Sequence, residues 1–340
     1  MKKTIGLISA NYVIEEINSN IQERGLAALP FGSRYRLIDF PLSNLKNSGV
    51  GCVGIIMPFN NRALIDHIGA GKAWGFGRKT NSLFMLPGSV YGRKNNADKF
   101  LLRDIILNFR FIDYDNADYV ILCGVNKIFN MNFQPMIKQH EQSGNDLTVA
   151  YTVKDGKDIP LDCAIINQSF LIDIASWYGN LDFLGLMKII EDYLDDADIG
   201  RYEFDSEVII IENMHDYLKG NLSLLENDVR ENIFNPDNQI YTNVQDRAPT
   251  FYAPSSKVHN SLIAAGCMIE GEVENSVIFR SSHIHKGAKV KNSVLMQDCN
   301  VSEGAYLNNF ICDKRVHVMK NVRVEGTMET PYYVQKGQII

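Results

Sequence analysis

An apolar residue that returns every 17 positions constrains this chain more than any other feature. Val273-Glu-Asn-Ser-Val277 recurs as Val290-Lys-Asn-Ser-Val294 and more loosely as Leu307-Asn-Asn-Phe-Ile311, with a diverged first copy at Val258-His-Asn-Ser-Leu262. A second series, Ile284-His-Lys-Gly-Ala288, Val301-Ser-Glu-Gly-Ala305 and Val318-Met-Lys-Asn-Val322, keeps the same step and is offset by alternating intervals of 11 and 6. A β-helix requires one apolar residue at the same azimuth on each coil, stacked on the coil below, with small residues and glycine at the corners. The repeat therefore predicts a parallel β-helix, here over residues 248–340, beginning at the Pro-rich stretch Ala248–Pro254.

Residues 1–247 follow a different rule. Short apolar runs at Ile5–Ile8, Cys52–Met57, Tyr119–Cys123 and Leu147–Val153 alternate with helical spacing, as in Phe100–Phe109 and Met136–Gln142. This alternation predicts a mostly parallel, doubly wound, Rossmann-like α/β sheet. Ligands of such sheets bind beyond the carboxyl ends of the strands. The segments after Ile8 and after Cys123 are therefore where a site is expected.

Charge and cysteine usage narrow the function. A net charge of −6 gives no pull toward a polyanion, so a nucleic-acid partner is not expected. The six cysteines lack metal-ligand spacing and read as reduced thiols, which predicts a cytoplasmic chain. No stretch is long and apolar enough to suggest a membrane span.

The most specific stretch is Leu29-Pro-Phe-Gly-Ser-Arg-Tyr-Arg-Leu-Ile-Asp-Phe-Pro-Leu-Ser-Asn44, followed by Asn47-Ser-Gly-Val50. It resembles the P-F-G-G-K-Y-R-L-I-D-F-P-L-S-N signature of ADP-glucose pyrophosphorylases, the glucose-1-phosphate adenylyltransferases. That resemblance implies an N-terminal nucleotide-binding α/β domain and a C-terminal left-handed β-helix, assembled as tetramers. It also implies a reaction that joins ATP and glucose 1-phosphate into ADP-glucose and pyrophosphate.

Against the family pattern, the catalytic positions are degenerate. The phosphate-cradling G-G-x-G-x-R-L turn is replaced by Ser9-Ala-Asn-Tyr-Val-Ile-Glu-Glu16, with two glutamates where phosphate would come. The phosphate-facing lysine of R-A-K-P-A-V becomes Leu26. The aspartate of the G-D-H motif becomes Val125 or Asn126, depending on a one-residue alignment choice, and the aspartate of W-R-D-V-G-T becomes Ile210. No E-K-P segment follows Leu147–Val153. Phosphoryl-transfer sites hold Mg²⁺ on one or two carboxylates, which this chain lacks at those positions. The resemblance thus extends to the divergent GlgD-type branch, which the segment Asn60–Trp74 and the Gly124-Val125-Asn126 variant also resemble.

That branch implies a non-catalytic regulatory chain with no cofactor of its own. Its partner would be a catalytic glucose-1-phosphate adenylyltransferase subunit that carries Mg²⁺, in a hetero-oligomer that is a tetramer. The family also implies a sugar-phosphate effector at the domain junction, near Arg24 and Arg36, and Arg34 survives beside them. Simple ion pairing of these arginines, for example with Asp39, is the alternative. Two other readings stay open. An active nucleotidyltransferase could have rebuilt its site from Asn126 and Glu15 or Asp98. A hexapeptide-repeat acyltransferase could use His259, His283, His285 or His317 as a base, though outward-facing surface histidines explain these as simply. Asp98 could equally open a helix capped by Asn95 or Asn96, and Asp192–Asp198 reads as a solvated helix end.

Overall fold

The apolar runs of the first part form a seven-stranded sheet. The structure, a computed structural model, describes residues 2–21, 24–77, 81–90, 99–113 and 116–340. The strands are β1 (Thr4–Ser9), β2 (Cys52–Met57), β3 (Ser82–Pro87), β4 (Tyr119–Cys123), β5 (Leu147–Lys154), β6 (Lys157–Asn167) and β7 (Ile199–Glu203). Their spatial order is β7-β5-β6-β4-β1-β2-β3. Every pairing is parallel except those of β6, which runs antiparallel between β4 and β5.

Each central strand is buried on both faces, as parallel strands covered by helices must be. Along β4, Val120 and Leu122 enter one apolar layer, while Tyr119, Ile121 and Cys123 enter the other. The helix Asp39–Asn47 packs so closely on β1 that a Cβ at Gly6 would stand 2.7 Å from Leu45 Cδ1. The expected helix over Phe100–Phe109 is present as two pieces, Leu102–Leu107 and Phe109–Ile112.

The 17-residue repeat folds as a left-handed β-helix of three five-stranded parallel sheets. Register pairs Val273 with Val290, Val290 with Leu307, Ile284 with Val301 and Val301 with Val318. The first coil is shorter, since Val258 pairs with Val273. Asn260, Asn275, Asn292 and Asn309 turn one corner at φ of 41–47°, the left-handed region that asparagine tolerates better than most residues. This explains the recurring Asn-Ser of the motif.

The last residue of the copies in the first series points outward rather than into the coil. Val277, Val294 and Ile311 join the core of the α/β domain, whereas Ile278, Leu295 and Cys312 fill the β-helix interior. One wall of the β-helix thereby shares an apolar core with the first domain.

A buried ion pair crosses the same junction. The Arg24 guanidinium meets the Asp313 carboxylate, and Asp313 Oδ2 also accepts a hydrogen bond of 2.7 Å from Tyr333 Oη. Arg24 is 6% exposed and Asp313 is 2% exposed, so neither charge has water to fall back on. Removing one partner of such a pair strands the other, at a cost of about 3–5 kcal/mol. Asp313→Ala should therefore lower the urea unfolding midpoint by an amount equivalent to that loss. The exposed helical Glu141→Ala should stay within about 0.5 kcal/mol of the unmodified chain.

Candidate functional site

Beyond the ends of β1 and β4, a tyrosine occupies the place where a nucleotide phosphate would be expected. Tyr12 Oη accepts hydrogen bonds from the backbone N–H groups of Val125 (2.9 Å) and Asn126 (3.2 Å) and donates to Asn126 Oδ1 (2.9 Å). Burial pushes its phenol far above the range in which it could ionise. Just before it, Asn11 Nδ2 donates to Asp104 Oδ2 (2.8 Å) and to Ser89 O (3.0 Å), while Ser89 N–H donates to Asp104 Oδ1 (2.7 Å). Burial raises the Asp104 carboxyl, opposed by the Ser89 and Asn11 hydrogen bonds. Asn11 and Tyr12, within the segment that replaces the glycine-rich turn, are thus tied down with their polar groups paired.

The other degenerate positions are equally committed to structure. Asn126 spends both ends of its amide, with Oδ1 on Tyr12 and Nδ2 on Ile211 O (3.2 Å). Its amide oxygen is thus already engaged by the Tyr12 hydroxyl. Val125 is fully buried. Ile210 sits in a two-stranded antiparallel ribbon opposite Lys127 and packs on the main core. Leu26 lies in the short 3-10 turn Leu26–Ala28 with its side chain in that core.

A cleft of about 540 Å³ remains in front of this plug, lined in part by Glu15, Glu16, Glu212, Lys99 and Asn126. Among the described residues its carboxylates outnumber its cations, which opposes a polyphosphate. Asp162 is ion-paired with Lys127 (2.7 Å) and Lys99, and Lys127 Nζ also donates to Pro160 O. Burial pulls the Lys127 ammonium below its ordinary value, and Asp162 opposes that shift. Among the described residues, no three metal-ligating side chains converge here. Glu15 borders the cleft on an exposed helix. Asp98, Asn95 and Asn96 lie outside the described residues.

The structure brings Arg24 and Arg36 together and places Arg34 elsewhere. A cavity of about 240 Å³ at the domain junction is lined by Arg24, Arg36, Lys314, Arg315 and Lys336, with Asp66 and Asp298 as counter-charges. Arg36 donates to Ala63 O at 2.5 Å rather than to the Asp39 carboxylate, which instead accepts from the Arg36 backbone N–H (3.0 Å). Burial, with Arg24 adding repulsion, lowers the Arg36 guanidinium to about 10. Burial beside Arg36 and Arg24 brings the Lys314 ammonium down to about 7, although Asp313 pulls the other way. Lys314, Arg315 and Lys336 come from the β-helix end of the chain and no motif marked them. Arg34 is exposed, lies over the Tyr35 ring at 5.4 Å and lines a separate cavity of about 300 Å³ with Arg247 and Arg280. Of the β-helix histidines, His259 is exposed and His317 Nε2 pairs with Ser302 Oγ at 3.0 Å.

The fold and these two sites define a nucleotidyltransferase-type α/β domain joined to a hexapeptide β-helix. Residues 23–159 match the nucleotidyl transferase family and residues 251–330 match the GlmU-like C-terminal hexapeptide family. The chain is 34% identical to the glycogen biosynthesis protein GlgD of Bacillus subtilis, over 98% of this chain and 96% of that protein. It is 36% identical to the GlgD of Geobacillus stearothermophilus, over 99% and 97% of the two chains. The glucose-1-phosphate adenylyltransferase of Thermotoga neapolitana is 29% identical over 77% of this chain and 70% of that protein. The chain belongs to the GlgD branch of the glucose-1-phosphate adenylyltransferase family.

Tyr12 is the residue that sequence reasoning missed. Its role depends on a contact across more than a hundred positions, although a bulky aromatic within a glycine-rich pattern was a visible signal. Tyr12→Phe removes the only side-chain acceptor shown for the Val125 and Asn126 N–H groups. Leaving buried donors unpaired costs about 1–3 kcal/mol each. The variant should unfold at a correspondingly lower urea concentration.

Proposed function

We propose that this chain is a non-catalytic, regulatory subunit of glucose-1-phosphate adenylyltransferase, supporting glycogen biosynthesis by pairing with a catalytic homologue in a heterotetramer. The observation that carries this reading is the Tyr12 plug. The backbone N–H groups of Val125 and Asn126 are spent on a tyrosine oxygen, and neither replaced aspartate position keeps a carboxylate for Mg²⁺. Electrostatic stabilisation by such groups is usually the largest catalytic contribution. The carbohydrate connection comes from the named relatives, and the Mg²⁺-dependent chemistry belongs to the partner.

Two further features support a role in assembly and control. Phe251, Tyr252, Val258 and Met268 leave large apolar side chains exposed on the opening strands of the β-helix, as a surface for a neighbouring subunit would. The cationic cavity at the domain junction suits a sugar phosphate, since Arg24, Arg36 and Lys314 line it from both domains. An effector held there would bias how the two domains sit.

The direct test is pyrophosphate release from ATP and glucose 1-phosphate with Mg²⁺. The chain alone should show no turnover, and adding it to its catalytic homologue should raise activity or effector sensitivity. Robust turnover by the isolated chain would reject the proposal in favour of a rebuilt active site.

The cavity makes a separate pH prediction, best read with sulfate, whose charge is constant near neutrality. Lys314 in the free protein loses its proton as pH rises through about 7. An anion stabilises the protonated form, so binding takes up a proton. Sulfate affinity measured by calorimetry should therefore be highest below pH 7 and fall as pH rises toward 8. Lys314→Met should flatten that profile.

A further inference from the structure

We propose that Glu270, His283 and His285 form a binding site for a divalent transition-metal ion of the zinc class on the outer wall of the β-helix. The argument begins with strand geometry. Residues two apart on a strand point to the same face, which sets His283 and His285 side by side. The neighbouring coil supplies the third group. Met268 pairs with His283 and Ile269 with Ile284, and the ladder continues as Glu270 N–H donates to Ile284 O at 2.8 Å. Glu270 is therefore held one coil away from His285, on the same face. His285 N–H in turn donates to Val301 O at 3.0 Å, so both coils are locked by backbone pairing.

The side chains converge as this register requires. Glu270 Oε2 lies 3.1 Å from His283 Nε2 and 3.8 Å from His285 Nδ1, and one donor atom from each residue lies within 4.8 Å of the others. Two imidazoles and one carboxylate are the ligand types of borderline divalent metals, whereas Mg²⁺ and Ca²⁺ demand oxygen. A tetrahedral ion with bonds of about 2.0–2.1 Å needs its ligand atoms about 3.3 Å apart. The present spacing is close to that.

The one adjustment needed is in the rings. They are stacked with centroids 3.6 Å apart and planes 24° apart, so their nitrogens must splay to converge on one ion. All three side chains are roughly 30% exposed, which leaves them room to turn on a rigid backbone. Three protein ligands leave a fourth position for water. An ion bound here would staple two successive coils, and its effect should appear as stabilisation.

The test is calorimetric titration of the full, chelator-treated chain with Zn²⁺, with thermal unfolding followed in parallel. The expected result is one saturable site of micromolar or tighter affinity, a higher Tm with Zn²⁺, and no competition from excess Mg²⁺. Glu270→Gln and the double variant His283→Ala/His285→Ala should each weaken binding by about tenfold or more and abolish the Tm gain. His259→Ala/His317→Ala should bind like the unmodified chain, and Co²⁺ should give a tetrahedral absorption spectrum that the double variant lacks. Absence of saturable binding, or equal binding by the double variant, would overturn the proposal and leave the cluster as a His–Glu hydrogen-bond group.

Discussion

The Arg24–Asp313 pair sets the terms for everything at the junction of the two domains. A guanidinium and a carboxylate this deeply buried each require the other, and Tyr333 completes the arrangement by donating to Asp313. Such a pair adds little net stability over a well-packed apolar contact, but it penalises any arrangement that separates its members. Around it the outward-facing Val277, Val294 and Ile311 join the core of the α/β domain. The apolar contact holds the domains together, and the ion pair specifies one orientation. The junction cavity inherits its character from this arrangement. Burial, with Arg24 adding repulsion to both and Arg36 to Lys314, lowers the proton affinities of Arg36 and Lys314.

The cleft beyond β1 and β4 obeys the same rule of pairing buried polar groups. The backbone N–H groups of Val125 and Asn126 are buried and would be unpaired without an acceptor. Tyr12 resolves this by supplying a neutral oxygen to Val125 and Asn126. Asn11 and Asp104 do the same for the loop before it. Tyr12 and Asn11 are thus packed into the structure behind the remaining cleft.

What could be read from the chain depends on how far apart the interacting residues lie. The β-helix was legible because its constraint repeats locally: one apolar residue per azimuth per coil, and Asn at the left-handed corners. Which residue of Val277-Ile278 faces inward was not, because both are apolar and the wall they separate is buried on both sides. Strands β1, β2, β4 and β5 stood out as apolar runs. Strand β6 did not, since its first residues, Lys157 to Pro160, are polar or solvent-facing. Leu26 and Ile210 were visible as losses one position at a time. The positive side of the story was hidden: the Tyr12 plug, the partner of Arg24 and the lysines of the junction cavity all depend on contacts that only the fold creates.

The structural role of the Pro30–Asn44 signature follows from what its side chains touch. Asp39 accepts from the Arg36 backbone N–H and contacts His67 Nε2 at 2.5 Å. Asn44 donates to Phe129 O and accepts from Met131 N–H, fastening the segment after β4 to the helix Asp39–Asn47. Ser43 Oγ accepts from Tyr241 N–H, reaching the linker toward the β-helix. Ser48, just past the signature, accepts from Phe133 N–H. These residues satisfy backbone groups of distant segments, and an apolar replacement at any of them would leave a buried donor or acceptor unpaired. The motif therefore reports the scaffold rather than the chemistry. Such scaffold contacts hold whatever stands at the positions of Leu26, Val125, Asn126 and Ile210.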